Sequence, residues 1–85
     1  MEVYVGHVTH YYTNLGVAAI EVETEGIKVG DVIHIKGHTT DIVQPVESMQ
    51  LDHSDIEEAS PGQDIGVRVR EHVREHDEVL KVVKE

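Results

Sequence analysis

The chain has 85 residues and a formal net charge of −10, with 17 acidic side chains against seven basic ones. A length of this order predicts one small domain that spans residues 1–85. The sequence has no cysteine, which excludes disulfides, iron–sulfur clusters, thiolate metal sites and cysteine nucleophiles. The excess of carboxylates argues against free duplex nucleic acid as a partner, because duplex binding depends on lysine and arginine neutralising phosphates.

The sequence indicates neither a membrane span nor a secretory signal. No apolar run approaches the roughly 20 residues of a membrane-spanning helix. The amino-terminal residues have neither the basic region nor the apolar region of a signal peptide. We therefore expect a cytoplasmic protein with no membrane partner.

Valine and isoleucine dominate the apolar residues and predict an all-β fold. There are 15 valines and seven isoleucines, but only three leucines and three alanines. β-Branched side chains lose rotamer freedom on a helix and pack well on a pleated sheet. The sequence has no tryptophan or phenylalanine, so the core is expected to be aliphatic.

The first half of the chain predicts three strands separated by polar turns. Residues 2–10 form the first, with a bend or bulge at Gly6, a usual place for glycine in a strand. A turn at residues 13–16 contains asparagine and glycine, which tolerate left-handed backbone. Residues 17–22 and 32–36 form the next two strands.

The second half predicts three more strands. Residues 39–51 are extended, and Pro45 makes this an edge strand or breaks it at a bulge, because proline cannot donate to a sheet ladder. The acidic residues 52–60 are expected to be irregular, with room for one helical turn. Apolar and polar residues alternate cleanly from residue 65 to 70, and residues 79–84 form the last strand. Six short strands predict a small antiparallel β-barrel, closed or partly closed.

Two turn segments resemble the second domain of the translation elongation factor GTPases, a small β-barrel. Residues 27–35 (IKVGDVIHI) resemble its Lys-x-Gly-Asp turn and strand, and residues 56–67 (IEEASPGQDIGV) resemble a later turn and strand. The similarity covers residues 3–83, although His76 stands where the family commonly has glycine. It implies a barrel in which Gly30 and Gly62 allow left-handed or closely packed turns.

The resemblance also implies contact with ribosomal components, but it does not extend to nucleotide binding. The chain has no Gly-x-x-x-x-Gly-Lys-[Ser/Thr] motif and no room for a nucleotide domain, so GTP is not expected to bind. No serine or paired carboxylate stands in a recognisable catalytic pattern. We therefore expect a non-catalytic binding module without a cofactor, a stand-alone barrel that docks on a protein or ribonucleoprotein.

The predicted partner-binding surface combines aromatic and basic side chains. Two tyrosines lie beside the first turn, where they either offer a stacking surface or, the favoured alternative, cap an aliphatic core. Three arginines lie close together near the carboxyl end, where neighbouring carboxylates offset most of their charge. The residues of this surface are Tyr11, Tyr12, Arg68, Arg70 and Arg74.

Seven histidines in so short a chain suggest an alternative function in metal binding. His72 and His76 have the i, i+4 spacing that puts two rings on one face of a helix, about 6 Å apart and able to share zinc or nickel. On a strand the same spacing separates them by about 13 Å, and no single ion is shared. The pattern therefore leaves open a metal site, completed by a neighbouring carboxylate, or two solvated histidines.

Overall fold

Ten β-strands and no helix make up residues 1–84, the part of the chain that this computed structural model describes. The described residues include no long apolar helix of the kind that crosses a membrane. The prediction of an all-β, antiparallel fold is confirmed. The strands are β1 (Glu2–Tyr12), β2 (Val17–Val22), β3 (Ile27–Lys28), β4 (Val32–Lys36), β5 (Asp41–Pro45), β6 (Met49–Leu51), β7 (Ser54–Ile56), β8 (Glu58–Ala59), β9 (Asp64–Arg68) and β10 (Glu78–Val82).

Eight of the strands form one antiparallel sheet in the order β5-β4-β10-β1-β2-β9-β6-β7, and β3 pairs with β8 in a second, two-stranded sheet. The last strand therefore lies between β1 and β4, which brings the two ends of the chain together. The strand count differs from the six expected. Residues 39–51 are divided between β5 and β6, and the acidic segment 52–60 contributes β7 and β8 instead of a helical turn. β5 is an edge strand that ends at Pro45, as the missing N–H requires.

The core is aliphatic, as the composition predicts. Alternate residues along β2, β4, β5 and β9 point inward, so that valine and isoleucine from neighbouring strands pack against one another. Met49 adds an unbranched side chain that fills the space between the strands. Core side chains with no measurable exposure are Val5, Val8, Ala18, Ile20, Val22, Ile33, Ile35, Val67, Val73 and Val79.

The eight paired strands do not close into a barrel by backbone pairing within residues 1–84. A buried side chain joins the separated strands instead. The Gln44 amide on β5 donates to the Arg68 carbonyl at 2.9 Å, and its oxygen accepts from the Arg70 N–H at 2.9 Å. Because Gln44 is only 2% exposed, these bonds satisfy backbone groups at the end of β9 that a neighbouring strand would otherwise pair.

Glycines stand at a bulge and at two turns, as the sequence predicts. The pairing of β1 with β10 shifts register between Tyr4 and Gly6. A Cβ at Gly6 would lie 1.8 Å from the Glu21 carbonyl oxygen, so only glycine fits there. Gly30 and Gly62 have φ angles of 99° and 95°, in the left-handed region expected for both.

Candidate functional site

The two tyrosines predicted to form one stacking surface lie on different faces of β1. Successive residues of a strand point to opposite sides, and Tyr11 and Tyr12 follow this rule. Tyr11 packs against the core, with its ring 4.5 Å from that of His72. Tyr12 is 47% exposed, and the edge of its ring meets His10 at 4.5 Å. A shared platform made from both tyrosines is therefore not formed.

The three arginines of the predicted surface do not share one environment. Arg68 is exposed at the end of β9, and the other two engage different neighbours. Arg70 lies 3.6 Å from Glu47 in an exposed ion pair, and Arg74 donates from Nε to Thr39 Oγ1 at 2.8 Å. Arg74 also lines an open depression of about 400 Å³ beside Tyr11 and His72. The structure thus brings Arg74 and Tyr11 to one depression. The complete partner-binding surface stays a prediction.

His72 and His76 lie in a loop between β9 and β10 and not on a helix. His76 has a φ of 75°, which turns the chain between the two residues. Each ring faces a different aromatic neighbour: His72 lies against Tyr11, and His76 stacks on His7 at 6.5 Å. The helical spacing that would let both hold one ion is therefore not formed, and metal binding by this pair stays a prediction.

A second histidine cluster lies across β1 and β2, and the sequence reasoning missed it. His7 Nδ1 lies 2.5 Å from Glu23 Oε2, and the same oxygen accepts from the Tyr4 hydroxyl at 2.8 Å. The hydrogen bond to Glu23 raises the pKa of Tyr4 to about 12, and hydrogen bonds from His7 and Tyr4 lower the pKa of Glu23. Glu21 is directly opposite His7 in the β1–β2 pairing.

Ligand atoms of His7, Glu21 and Glu23 all lie within 4.8 Å of one another. Imidazole and carboxylate groups at this spacing are the donor types that bind zinc and related divalent cations. The signal for this cluster is strand register, which the spacing along the chain does not reveal.

His34 is held between two carboxylates from different strands. Its Nδ1 lies 2.7 Å from Glu2 and its Nε2 lies 2.6 Å from Asp41. Because both ring nitrogens face carboxylate oxygens, both must donate, and this requires the protonated imidazolium. The hydrogen bond to Asp41, followed by that to Glu2, raises the pKa of His34. The side chain is 16% exposed, so the charge is partly shielded from water.

An open groove of about 400 Å³ crosses the outer face of β2, β9 and β6. It is called the Leu15 groove below, after the most exposed apolar side chain on its wall. Its floor is low because small residues are paired there: Ala19 is opposite Gly66. The groove is lined by Tyr12, Leu15, Val17, Ala19, Gln50, Asp52, His53, Asp64, Ile65 and Gly66.

Comparison with known proteins indicates a different class from the one expected. No family model matches the chain. A collagenase of Porphyromonas gingivalis strain W83 is 38% identical over 84 residues, which cover 98% of this chain and 20% of that protein. An uncharacterized protease of Methanocaldococcus jannaschii is 42% identical over 76 residues, 88% of this chain and 18% of that protein. The chain thus spans about a fifth of the length of the curated relatives it matches.

The fold is that of a domain already known from a crystal structure. The C-terminal domain of a U32 peptidase from Geobacillus thermoleovorans superposes with a TM-score of 0.87, at 18% identity, over 94% of this chain and 92% of that one. The selenomethionine variant of that domain superposes with a TM-score of 0.83 over 89% of this chain and 95% of that one.

These matches overturn the resemblance to translation elongation factors, and with it the docking module expected for a protein or ribonucleoprotein partner. The expectation of a protein that is not an enzyme is also overturned, because the relatives are named collagenase and protease. The two turn segments behind the resemblance each centre on a left-handed glycine, Gly30 or Gly62. Such turns are needed wherever short antiparallel strands reverse direction, so they report fold rather than family.

Proposed function

We propose that this chain is a domain of a peptidase of the U32 type and that it takes part there in the cleavage of protein substrates. One observation carries the proposal: 38–42% identity to proteins named collagenase and protease, continuous over 88–98% of the chain. The likeness to the C-terminal domain of a U32 peptidase supports the same placement. We also propose a cytoplasmic location for the protein.

The extent of the matches favours a domain that works beside other domains. In each relative the matching segment is about a fifth of the protein, while nearly all of this chain is matched. A unit of this size, with its own aliphatic core, can be carried from one protein to another as a whole. The function of the unit can therefore be measured after it is placed in a related protein.

A chimaera tests the proposal. The segment of the Porphyromonas gingivalis collagenase that matches this chain is replaced by residues 1–85, and cleavage of labelled collagen is followed as the release of new amino termini. We expect the chimaera to cleave collagen at a rate within about tenfold of the parent collagenase. A collagenase from which the segment is deleted is expected to lose most of that activity.

Two controls make the comparison decisive. An unrelated all-β domain of similar length, inserted at the same place, controls for the effect of merely filling the gap. Far-ultraviolet circular dichroism and gel filtration establish that each protein is folded. A folded chimaera that is no more active than the deletion, or a deletion as active as the parent collagenase, contradicts the proposal.

A further inference from the structure

The Leu15 groove combines apolar walls with an acidic rim. Leu15 is 62% exposed and Tyr12 is 47% exposed, so both present apolar surface to solvent. Ala19 and Gly66 form the floor between these two side chains and the opposite wall. The result is a trough of about 400 Å³ that is open to solvent.

The floor is low because its residues are small, and larger ones would fill the groove. A Cβ added at Gly66 would lie 3.3 Å from Val17 Cγ1, which is already a tight contact. Ala19 presents only a methyl group to the trough. Burying an apolar side chain here removes exposed surface from both partners, which favours binding.

Two carboxylates lie at the rim of the groove and have no cationic partner in the described chain. Asp52 and Asp64 both line it, and neither forms an ion pair within residues 1–84. The lining residues include no lysine or arginine. A ligand that brings positive charge next to an apolar group therefore complements both parts of the groove.

The acidic rim at Asp52 is held by a tight hairpin turn. Leu51 pairs with Ser54 across β6 and β7, so the connection consists of two residues, Asp52 and His53. Their φ angles are 52° and 67°, the left-handed pair that a two-residue hairpin turn requires. Such a turn has little conformational freedom, so the Asp52 carboxylate is presented at a defined place on the rim.

We propose that the Leu15 groove binds an extended polypeptide segment in which an apolar side chain is flanked by lysine or arginine. The apolar side chain lies on the Ala19–Gly66 floor against Leu15, and the flanking cation lies beside Asp52 or Asp64. This rests on the proposed function, for which it names the part of a protein substrate that the domain holds.

Peptide binding to the isolated 85-residue chain tests the groove without any proteolysis. The probe is a fluorescein-labelled peptide with leucine and lysine in a glycine–serine background, and binding is followed by fluorescence anisotropy. Two matched peptides replace lysine by glutamate or leucine by serine. We expect each replacement to weaken binding about tenfold, and we expect the affinity of the parent peptide to fall as salt is raised.

Paired variants place the binding site. We expect Leu15→Ser and Ala19→Leu each to weaken binding about tenfold, the first by removing a wall and the second by filling the floor. Val43→Ser is the control for Leu15→Ser, because Val43 is 59% exposed and lies on β5, outside the groove. We expect it to bind as the wild type does. Thermal unfolding of each variant confirms that it is folded.

Two variants that each remove one negative charge complete the binding experiments. We expect Asp64→Asn to weaken binding of the lysine peptide and to strengthen binding of the glutamate peptide, whereas Glu57→Gln, an exposed residue outside the groove, changes neither. Equal binding of all three peptides, or equal loss in the groove and control variants, overturns the groove proposal. Such a result leaves the collagenase chimaera unaffected, so the two proposals fail separately.

Discussion

Gln44 offers the sharpest test of how the open sheet is held together. Its side chain replaces strand pairing between β5 and the end of β9 by bonding to the Arg68 carbonyl and the Arg70 N–H. Gln44→Leu keeps a side chain of similar size but removes both hydrogen bonds. The two backbone groups then lose their partners at a place where the side chain is almost completely buried.

The cost of this change follows from the two lost bonds. Because the two backbone groups are only partly buried, each costs about 1–2 kcal/mol when it loses its partner, so Gln44→Leu is expected to lower the free energy of unfolding by about 2–4 kcal/mol. A domain of 85 residues has a total stability of about 4–13 kcal/mol. The loss corresponds to a fall in Tm of about 10–25 °C.

Urea denaturation followed by circular dichroism measures this difference directly. Gln50→Leu is the matched control, because Gln50 is exposed and its amide bonds only to the Asp55 side chain at 3.1 Å. We expect that control to change stability by less than about 0.5 kcal/mol. Equal stability of the two variants would refute the role given to Gln44 in joining β5 to β9.

Three further predictions concern His34, Tyr4 and the pair of glycines Gly6 and Gly62. The raised pKa of His34 means that its pairing with Glu2 and Asp41 stabilises the fold fully below pH 6.5 and loses that effect as pH rises through the raised value. The difference in stability between wild type and His34→Gln, measured by urea titration, should therefore shrink as pH increases. Ultraviolet titration should give Tyr4 a pKa of about 12, which Glu23→Gln moves back towards 10.0, and an unchanged value would contradict the bond between them. Gly6→Ala should lower the free energy of unfolding by more than about 3 kcal/mol or prevent folding, because the Glu21 carbonyl occupies the space of the added Cβ. Gly62→Ala should lower it by only about 1 kcal/mol, through its backbone angle alone, and thermal unfolding distinguishes the two variants.

The features that depend on single strands and turns could be predicted from the sequence. The excess of valine and isoleucine predicts an all-β fold because each residue expresses its preference locally. Gly30 and Gly62 mark left-handed turns, and Pro45 marks the end of an edge strand, for the same reason. The sequence left open whether residues 39–51 form one edge strand or break at Pro45, and the structure ends β5 at Pro45 and begins β6 at Met49.

The side-chain clusters could not be predicted because they depend on strand order and register. His34 meets Glu2 only because β10 inserts between β1 and β4, and the order of strands is a property of the whole chain. Glu21 is opposite His7 through a pairing that shifts register between Val8 and His10. A shift of one residue sends a side chain to the other face of a sheet, so residue spacing alone does not locate such sites.

The incorrect resemblance to translation elongation factors has a related cause. The turn segments at residues 27–35 and 56–67 describe how short strands reverse, and unrelated small β-folds need the same reversals. The acidic composition argues against a nucleic-acid partner, but a surplus of carboxylates carries no signal for a peptidase. The relatives named collagenase and protease supply that connection through identity along the whole chain.

The rate of collagen cleavage by the Porphyromonas gingivalis chimaera is the most direct measurement of the proposed function. If this chain works as a domain of a peptidase, the chimaera will release new amino termini from collagen at a rate within about tenfold of the parent enzyme and well above that of the deletion. A correctly folded chimaera with the activity of the deletion would contradict that function.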